Sequence, residues 1–376
     1  MNKISLSKKE ILSDLQIGSM YAGLNKALPI CDTIKIKINN GVFYVNSTNG
    51  ESAINSKIET TTIDGIVNVE FCVNSKTFIS NINAAPSDNI EISVDKDKLT
   101  MKSKRWKSSQ PLYPTDEFPI MASKSDDFSD KFKLPFNLVY DIIISSKTSC
   151  ANDELRPVMN GIYFENNIKT ISTCASDGHV LMTNTIDVAE EHRCTNACKF
   201  IMGKSVIDSI IKLNKKDSEF ISFACTDGKI LIKYGNKTII SLLVEGKYPN
   251  FRSVIPTKNP IKTRINLSEI YSSISRNLLS SGQEGLSTLD FSSDRIKISS
   301  SDIDYSISAE DEIAYDGYAF ELRIGVKGAL LLNCLKAFNK ANTVDFEMTD
   351  PSRPILITSK EVYPNRLALI MPMTIN

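Results

Sequence analysis

Two short segments carry the side chains that could do chemistry. Asp177-Gly178-His179 places a carboxylate and an imidazole two residues apart, and residues 192–198 hold one histidine and two cysteines. Such groups serve acid–base catalysis or bind a metal. The chain has only two histidines, and no second Cys/His pair lies at a zinc-like spacing from residues 192–198. Incidental thiols in a loop or strand edge therefore explain that segment better than a metal site does.

Catalytic and nucleotide-binding motifs do not accompany these segments. The sequence lacks H-E-x-x-H, G-x-S-x-G, a P-loop and G-x-G-x-x-G. Asp177-Gly178 follows a predicted strand, and the turn residues 46–50 occupy the equivalent point of an earlier repeat, so a recurrent turn explains the Asp-Gly pair better than catalysis. We therefore expect that the protein is not an enzyme and that it binds neither a cofactor nor a resident metal. A metal-dependent hydrolase is the alternative from a different class.

The composition is that of an ordinary globular protein whose 376 residues need two or three domains. No run of about 18 apolar residues predicts a membrane span, and the first ten residues lack the apolar stretch of a secretory signal. These features favour a cytoplasmic protein. The eight cysteines then read as small buried hydrophobes rather than a disulfide framework; they stand at positions 31, 72, 150, 174, 194, 198, 225 and 334.

The elements that must position any site recur along the chain. Apolar spacing predicts helices over residues 7–24, 74–83, 134–149, 204–213, 267–279 and 326–339, each followed by strands or hairpins. Ser7 and Glu10 give the first helix a capping-box start. Three similar passes indicate internal repetition, with domains at 1–125, 126–260 and 261–376. The expected class is α+β, with antiparallel sheets on one side and helices on the other.

Forty-four basic and 44 acidic residues cancel, but their placement is uneven. Acidic residues concentrate in turns, whereas basic residues lie on or beside several helices. The simplest interpretation of these basic residues is that they make the exposed faces of the helices hydrophilic. If these helices share one concave surface, that surface is positive and suits the phosphates of a DNA duplex without base reading. The candidate DNA-facing residues are Lys26, Lys133, Lys147, Lys204, Lys212, Lys215, Arg276, Lys327 and Lys336.

Six segments, in order, resemble the beta subunit of bacterial DNA polymerase III. Residues 152–165 are similar to its central-domain signature, 175–181 to its ATDGHRL segment, 245–256 to its G-x-Y-P-D-Y-x-x-V-I-P loop, and 369–373 to its MPM tail. Residues 25–30 and 350–357 match further segments. Each segment alone is weak evidence, but six in the right order form a strong signal.

The resemblance implies a DNA clamp fold of three like domains, paired head to tail into a dimeric ring with sheets outside and helices lining the pore. Such a ring would encircle double-stranded DNA as a processivity factor. Its partners would be the replicative polymerase, the clamp loader and other proteins with a clamp-binding motif. These would insert short apolar peptides between the second and third domains. The implied pocket walls are Arg156, Met159, Ser176, Gly178, His179, Val180, Leu181, Pro249, Ser253, Val254, Leu330, Pro354, Leu369, Met371, Pro372 and Met373.

Two pocket positions depart from the family pattern. Val180 and Ser253 stand where the family often has arginine, which predicts a less cationic rim. For ring closure, the resemblance implies an interface of Trp106 with Leu278 and Leu279, although Trp106 fits an ordinary core residue equally well. A monomeric clamp-like scaffold therefore stays open as an alternative. The preferred peptide, the dimer affinity and a cellular or phage origin also stay open.

Overall fold

The same order of ten elements occurs three times in the computed structural model, which describes residues 2–39, 42–59, 68–121, 130–193, 196–226 and 228–375. Each repeat runs strand, helix, four strands, helix, three strands. The first repeat comprises β1 (Asn2–Ser7), α1 (Lys8–Gly18), β2 (Thr33–Asn39), β3 (Val42–Thr48), β4 (Ser52–Glu59), β5 (Val69–Asn74), α2 (Ser75–Ala84), β6 (Asn89–Val94), β7 (Lys98–Ser103) and β8 (Trp106–Pro111).

The second and third repeats follow the same order. The second comprises β9 (Asp130–Pro135), α3 (Phe136–Lys147), β10 (Gly161–Asn166), β11 (Thr170–Ser176), β12 (Val180–Asp187), β13 (Cys198–Gly203), α4 (Lys204–Lys212), β14 (Phe220–Thr226), β15 (Lys229–Tyr234) and β16 (Lys237–Leu242). The third comprises β17 (Ile261–Asn266), α5 (Leu267–Asn277), β18 (Leu286–Ser292), β19 (Arg295–Asp302), β20 (Ile307–Gly317), β21 (Leu322–Lys327), α6 (Gly328–Lys336), β22 (Thr343–Met348), β23 (Ile355–Ser359) and β24 (Tyr363–Ile370).

The α+β class with antiparallel sheets is confirmed, since the strands of the described residues pair antiparallel throughout. The exact domain bounds stay a prediction. The proposed boundary after residue 260 coincides with the start of β17, whereas the one after residue 125 lies outside the described residues.

Several helix predictions differ from the structure at their ends. The helix expected over 134–149 spans Phe136–Lys147, because Leu134 and Pro135 pair with β14 as the end of β9. The helix expected to reach Leu24 ends at Gly18, which packs so closely that an added Cβ would lie 3.0 Å from Val45. The last helix begins at Gly328 rather than Val326, because Val326 and Lys327 pair with β18 as the end of β21. The predicted cap at Ser7 is confirmed, since its side chain accepts a hydrogen bond from the Glu10 N–H.

The described residues divide into two units, and the division cuts the second repeat. The first unit takes 1–139, 192–195 and 208–243, and the second takes 140–191, 196–207 and 244–376. The first unit holds an eight-stranded sheet, in the order β5-β2-β3-β4-β16-β15-β14-β9, and a four-stranded sheet, β1-β6-β7-β8. The second holds a twelve-stranded sheet, β13-β10-β11-β12-β24-β23-β22-β17-β20-β19-β18-β21.

One seam in each unit joins strands of successive repeats. In the first unit β4 pairs with β16, and in the second β12 pairs with β24. A buried cation lies at each seam. Lys237 on β16 contacts Asp14 at 2.6 Å and Asp217 at 2.7 Å. Arg366 on β24 pairs with Asp141. Both acids, Asp14 on α1 and Asp141 on α3, lie on the first helix of the preceding repeat. The first and second repeats, and likewise the second and third, are therefore joined by a buried ion pair at the same place in the fold.

Five of the cysteines are buried, as expected, and two are half-buried; Cys194 lies outside the described residues. Burial raises the pKa of the Cys72 thiol to about 11 and those of Cys174 and Cys334 to about 12. These three thiols therefore stay protonated near neutral pH, and they act as packing groups rather than nucleophiles.

Candidate functional site

An apolar cluster forms on one face of the seam between β12 and β24. Leu181 lies opposite Leu369 in the strand register, and Leu369 lies opposite Leu356 on β23. These three leucines form a buried cluster with four further residues of the second unit: Cys174, Ile201, Tyr248 and Phe251. We call this cluster the seam floor. Its members come from five strands and one loop, so the site exists only once those strands are paired.

Val180 does not belong to the seam floor, which corrects its assignment as a pocket wall. Its side chain is 1% exposed and packs in the core of the third repeat with Ile370, its partner across the strands. Successive residues of a strand point to opposite faces. Because Leu181 faces the seam floor, the side chain of Val180 must face away from it.

The loop after β16 covers one side of the seam floor. The ring of Tyr248 stacks on Tyr163 at 4.9 Å, and Phe251 contacts Tyr163 edge-on at 6.3 Å. Gly246 takes a φ of +117°, and an added Cβ there would lie 2.7 Å from Val158, so glycine alone fits this bend.

An ion pair fixes the same loop from its other side. Glu165 on β10 accepts hydrogen bonds from Lys199 at 2.8 Å and Arg252 at 2.6 Å. The bond from Lys199, together with that from Arg252, lowers the pKa of Glu165 below its ordinary value. The fixed loop leaves the predicted wall residues Pro249, Ser253 and Val254 exposed, with Val254 55% exposed.

The Asp177-Gly178-His179 segment forms a tight turn before β12. The Asp177 carboxylate accepts from the N–H groups of His179 and Val180, both at 2.8 Å, and Ser176 Oγ accepts from Gly178 N–H at 3.1 Å. Gly178 has a φ of +96°, which favours glycine. One carboxylate oxygen is thus occupied by backbone donors, as the turn interpretation predicts. No group of three potential metal-binding side chains lies together in the part of the chain that the structure describes.

Arg156 and the C-terminal tail border this turn. Arg156 donates to Asp153 at 2.7 Å, which lowers the pKa of Asp153, and its guanidinium lies beside Gly178. The Met371 N–H donates to the His179 carbonyl at 2.8 Å, so the tail is tied to the turn. Met371 is 39% exposed. Polar and apolar contacts are therefore available on one continuous stretch of surface.

The other predicted wall residues lie around this surface at different depths. Met159 is buried, and Leu330 and Pro354 are half-buried on α6 and before β23. Pro372 and Met373 line a cavity of ≈ 490 Å³ with Arg323, Pro351 and Ser352. The sequence-based prediction missed Tyr163, Tyr248 and Phe251, although an aromatic pair flanking Pro249-Asn250 was a readable signal for an anchored loop.

The candidate DNA-facing residues lie mostly at helix ends. Lys204 and Lys212 begin and end α4, Lys147 and Lys336 end α3 and α6, and Lys327 directly precedes α6. Lys26 and Lys215 lie in turns. Two of the candidates already have a partner within the chain. Lys133 lies on strand β9 with its ammonium 4.3 Å from the Phe220 ring centroid, and Arg276 is already paired with Asp311.

The candidate interface residues occupy strand and helix ends. Trp106 begins β8, the edge strand of the four-stranded sheet, and is half-buried against the core of the first repeat. Leu278 packs on the core of the third repeat, whereas Leu279 is 86% exposed. In β20 of the second unit, residues 307–314 pair with β19 on one side and with no other described strand.

None of the described helices combines the length and the apolar character that a membrane crossing needs.

Comparisons with known proteins agree along the whole chain. Three domain models of the DNA polymerase III beta subunit family match this chain. The N-terminal domain model matches residues 2–122, the central domain model 133–250 and the C-terminal domain model 252–374. The beta sliding clamp of Haemophilus influenzae is 24% identical over 363 residues, covering 96% of both chains. That of Rickettsia felis is 25% identical over 388 aligned residues, covering 100% of both.

Solved structures share the fold. A DNA polymerase sliding clamp of Pseudomonas aeruginosa superposes with a TM-score of 0.91 at 20% identity, covering 99% of this chain and 100% of that one. The DNA polymerase beta subunit of Streptococcus pyogenes gives 0.92 at 18% identity and covers 100% of both chains.

Proposed function

Since the chain belongs to the DNA polymerase III beta subunit family, we propose that it is a DNA sliding clamp, a processivity factor that encircles duplex DNA. The observation that carries this proposal is the threefold recurrence of ten elements, matched in order by three domain models of that family. The clamp holds the replicative polymerase and other partners on DNA and catalyses nothing. It works in the cytoplasm, where bacterial DNA is replicated.

The lysines at the helix ends are placed to contact the phosphates of DNA rather than its bases. Lys204 and Lys212 at the ends of α4, and Lys336 at the end of α6, are exposed on regular helices. Lysines so placed neutralise phosphates without reading base edges, which suits a protein that slides irrespective of sequence.

The expected result on DNA is retention that depends on topology. The protein, loaded by its clamp loader, will stay on a nicked circular plasmid during gel filtration and will leave it after the plasmid is cut once. A closed ring can escape only from a free end, whereas ordinary affinity treats both forms alike. Equal retention on circular and linear DNA would contradict encirclement.

Ring closure is proposed to join β8 of one copy to β20 of the other. β8 and residues 307–314 of β20 each have an edge that no described strand covers, and an exposed edge can accept a strand from a second copy. Trp106 on β8 and exposed Leu279 beside α5 supply the apolar anchors. Lys107 on β8 is exposed, and Glu310 on β20 stays 63% exposed although it pairs with Lys297 at 2.9 Å, so the two edges carry opposite charges that favour head-to-tail pairing.

Replacing both anchors, Trp106→Ala with Leu279→Ala, will weaken the dimer by about 100-fold or more. A central tryptophan anchor contributes about 2 kcal/mol or more to an interface, and burial of the leucine side chain adds about 1 kcal/mol or more. Sedimentation velocity over a micromolar concentration series measures this. Leu155→Ala is the matched control, since Leu155 is 92% exposed and lies outside both edges. A wild-type protein that stays strictly monomeric would favour the clamp-like scaffold instead.

The seam floor and the surfaces beside it are proposed to bind partner peptides. Loop 243–256, the Asp177 turn and the tail from Met371 surround apolar Leu181 and Leu369 with exposed Val254 and Met371. Flexible methionine and branched side chains can repack around different apolar peptides.

A further inference from the structure

The first unit contains a groove at the position that the seam floor occupies in the second. The groove measures ≈ 810 Å³ and lies over the β4–β16 seam. Ala53 faces Ile240 there, as Leu181 faces Leu369 in the other seam. Residues Phe118 to Met121, which close the first repeat, line one side of the groove. The two sites therefore share their position in the repeat, and they differ in the side chains that they present.

Polar and basic residues surround Ala53 and Ile240 in this groove. One row across the strands runs Lys35, Asn46, Asn55, Thr238 and Lys233, each residue opposite the next. A second row places Tyr44 between Lys37 and Lys57. Directly opposite residues lie close enough to contact one ligand together.

The lining of the groove is positively charged within a chain of zero net charge. It contains four lysines, at positions 35, 37, 57 and 233, and one carboxylate, Glu70. Lys35 is paired with Glu70 at 2.6 Å, and Lys57 with Glu59 at 2.6 Å. Lys37 and Lys233 are exposed, and no carboxylate of the described residues lies within ion-pair distance of either. Two positive charges are thus available to a ligand.

We propose that this groove binds an acidic peptide segment of a partner protein that also carries an apolar side chain. Lys37 and Lys233 pair with its carboxylates, and the amides of Asn46 and Asn55 can bond to its backbone. Ile120, which is 72% exposed, and Tyr44 supply the apolar contact. A DNA duplex is held mainly through contacts to its phosphates and does not require apolar contacts, whereas this groove also presents apolar side chains. The lining therefore favours a peptide over nucleic acid. The site is separate from the seam floor and does not depend on it.

Fluorescence anisotropy of the full chain with a labelled twelve-residue peptide of Asp, Glu, Leu and Phe tests the proposal. We expect saturable binding that weakens with salt, and loss of binding when Asn and Gln replace the acids. The variant Lys37→Glu with Lys233→Glu should weaken binding about tenfold or more, since two pairs become repulsions. Ile120→Asp should weaken it as well.

Two control variants distinguish binding in this groove from binding elsewhere on the protein. Lys169→Glu with Lys229→Glu makes the same charge change at exposed lysines outside the groove, and it should leave the peptide affinity within about twofold. Removal of residues 371–376 should also leave it unchanged, although it disrupts the seam-floor site. Equal binding by wild type and Lys37→Glu/Lys233→Glu, or loss of binding on tail removal, overturns the proposal. Tighter binding of a twelve-nucleotide oligonucleotide at the same lysines would assign the groove to nucleic acid instead.

Discussion

Removing residues 371–376 will abolish the binding of partner peptides and leave the dimer intact. The tail begins directly after β24, so every strand pair of the seam remains when it is removed. What is lost is the exposed Met371, its hydrogen bond to the His179 carbonyl, and the bond from Met373 to Gly325. We expect affinity to fall at least about 100-fold, as when an interface loses its main anchor side chains.

The measurement is a fluorescence titration with a labelled peptide carrying the apolar clamp-binding motif of the replicative polymerase. Val254→Asp tests the loop side of the same site, because it places a charge at a position that is 55% exposed beside the seam floor. Val362→Asp is its matched control, at a valine 42% exposed in the turn before β24. Unchanged peptide affinity after tail removal would refute the pocket assignment. A dimer lost together with the tail would show that the tail has a structural role.

Replacing Arg366 with methionine will destabilise the protein by about 3–5 kcal/mol, the cost of breaking a buried ion pair. The Arg366 side chain is 5% exposed. It donates to Asp141, to Asn184 at 2.7 Å and to the Ala337 carbonyl, and its guanidinium lies 4.2 Å from the Tyr363 ring centroid. Methionine fills much of the volume but leaves these acceptors without a donor.

Urea unfolding followed by circular dichroism measures the loss. Arg353→Met is the matched control, because Arg353 is 62% exposed and pairs only across the surface with Asp350, so about 1 kcal/mol or less is expected. Adding Asp141→Asn to Arg366→Met should restore part of the stability, since it removes the carboxylate that lost its partner. Equal losses for Arg366→Met and Arg353→Met would mean that the buried pair contributes no more than a surface pair.

Several local features were readable from the sequence because they depend on residues a few positions apart. The cap at Ser7 follows from a hydroxyl three residues before Glu10, and the starts of α4 and α5 follow from apolar spacing. Repetition was also readable, since each repeat uses the same order of elements. The start of the last helix was not, because pairing with β18 holds Val326 in a strand and overrides its helical spacing.

The proposed peptide-binding site also depends on long-range strand pairing that the sequence does not reveal. The resemblance named Leu181 and Leu369, but it also named Val180, whose side chain the strand alternation turns into the neighbouring core. Tyr163, which anchors the loop through Tyr248 and Phe251, lies far from both in the sequence and was not named.

By itself, the sequence determined a threefold α+β repeat, its helices and about half of its strands, because amphipathic periodicity and capping act within a few residues. Only the tertiary structure decided which strands form the seams. Ser52 and Ser241 contact at 2.8 Å although 189 positions separate them, and no local pattern encodes such a pairing. The same long-range pairing makes Lys237 and Arg366 buried ion-pair partners, although in the sequence each reads as an ordinary surface cation beside a turn.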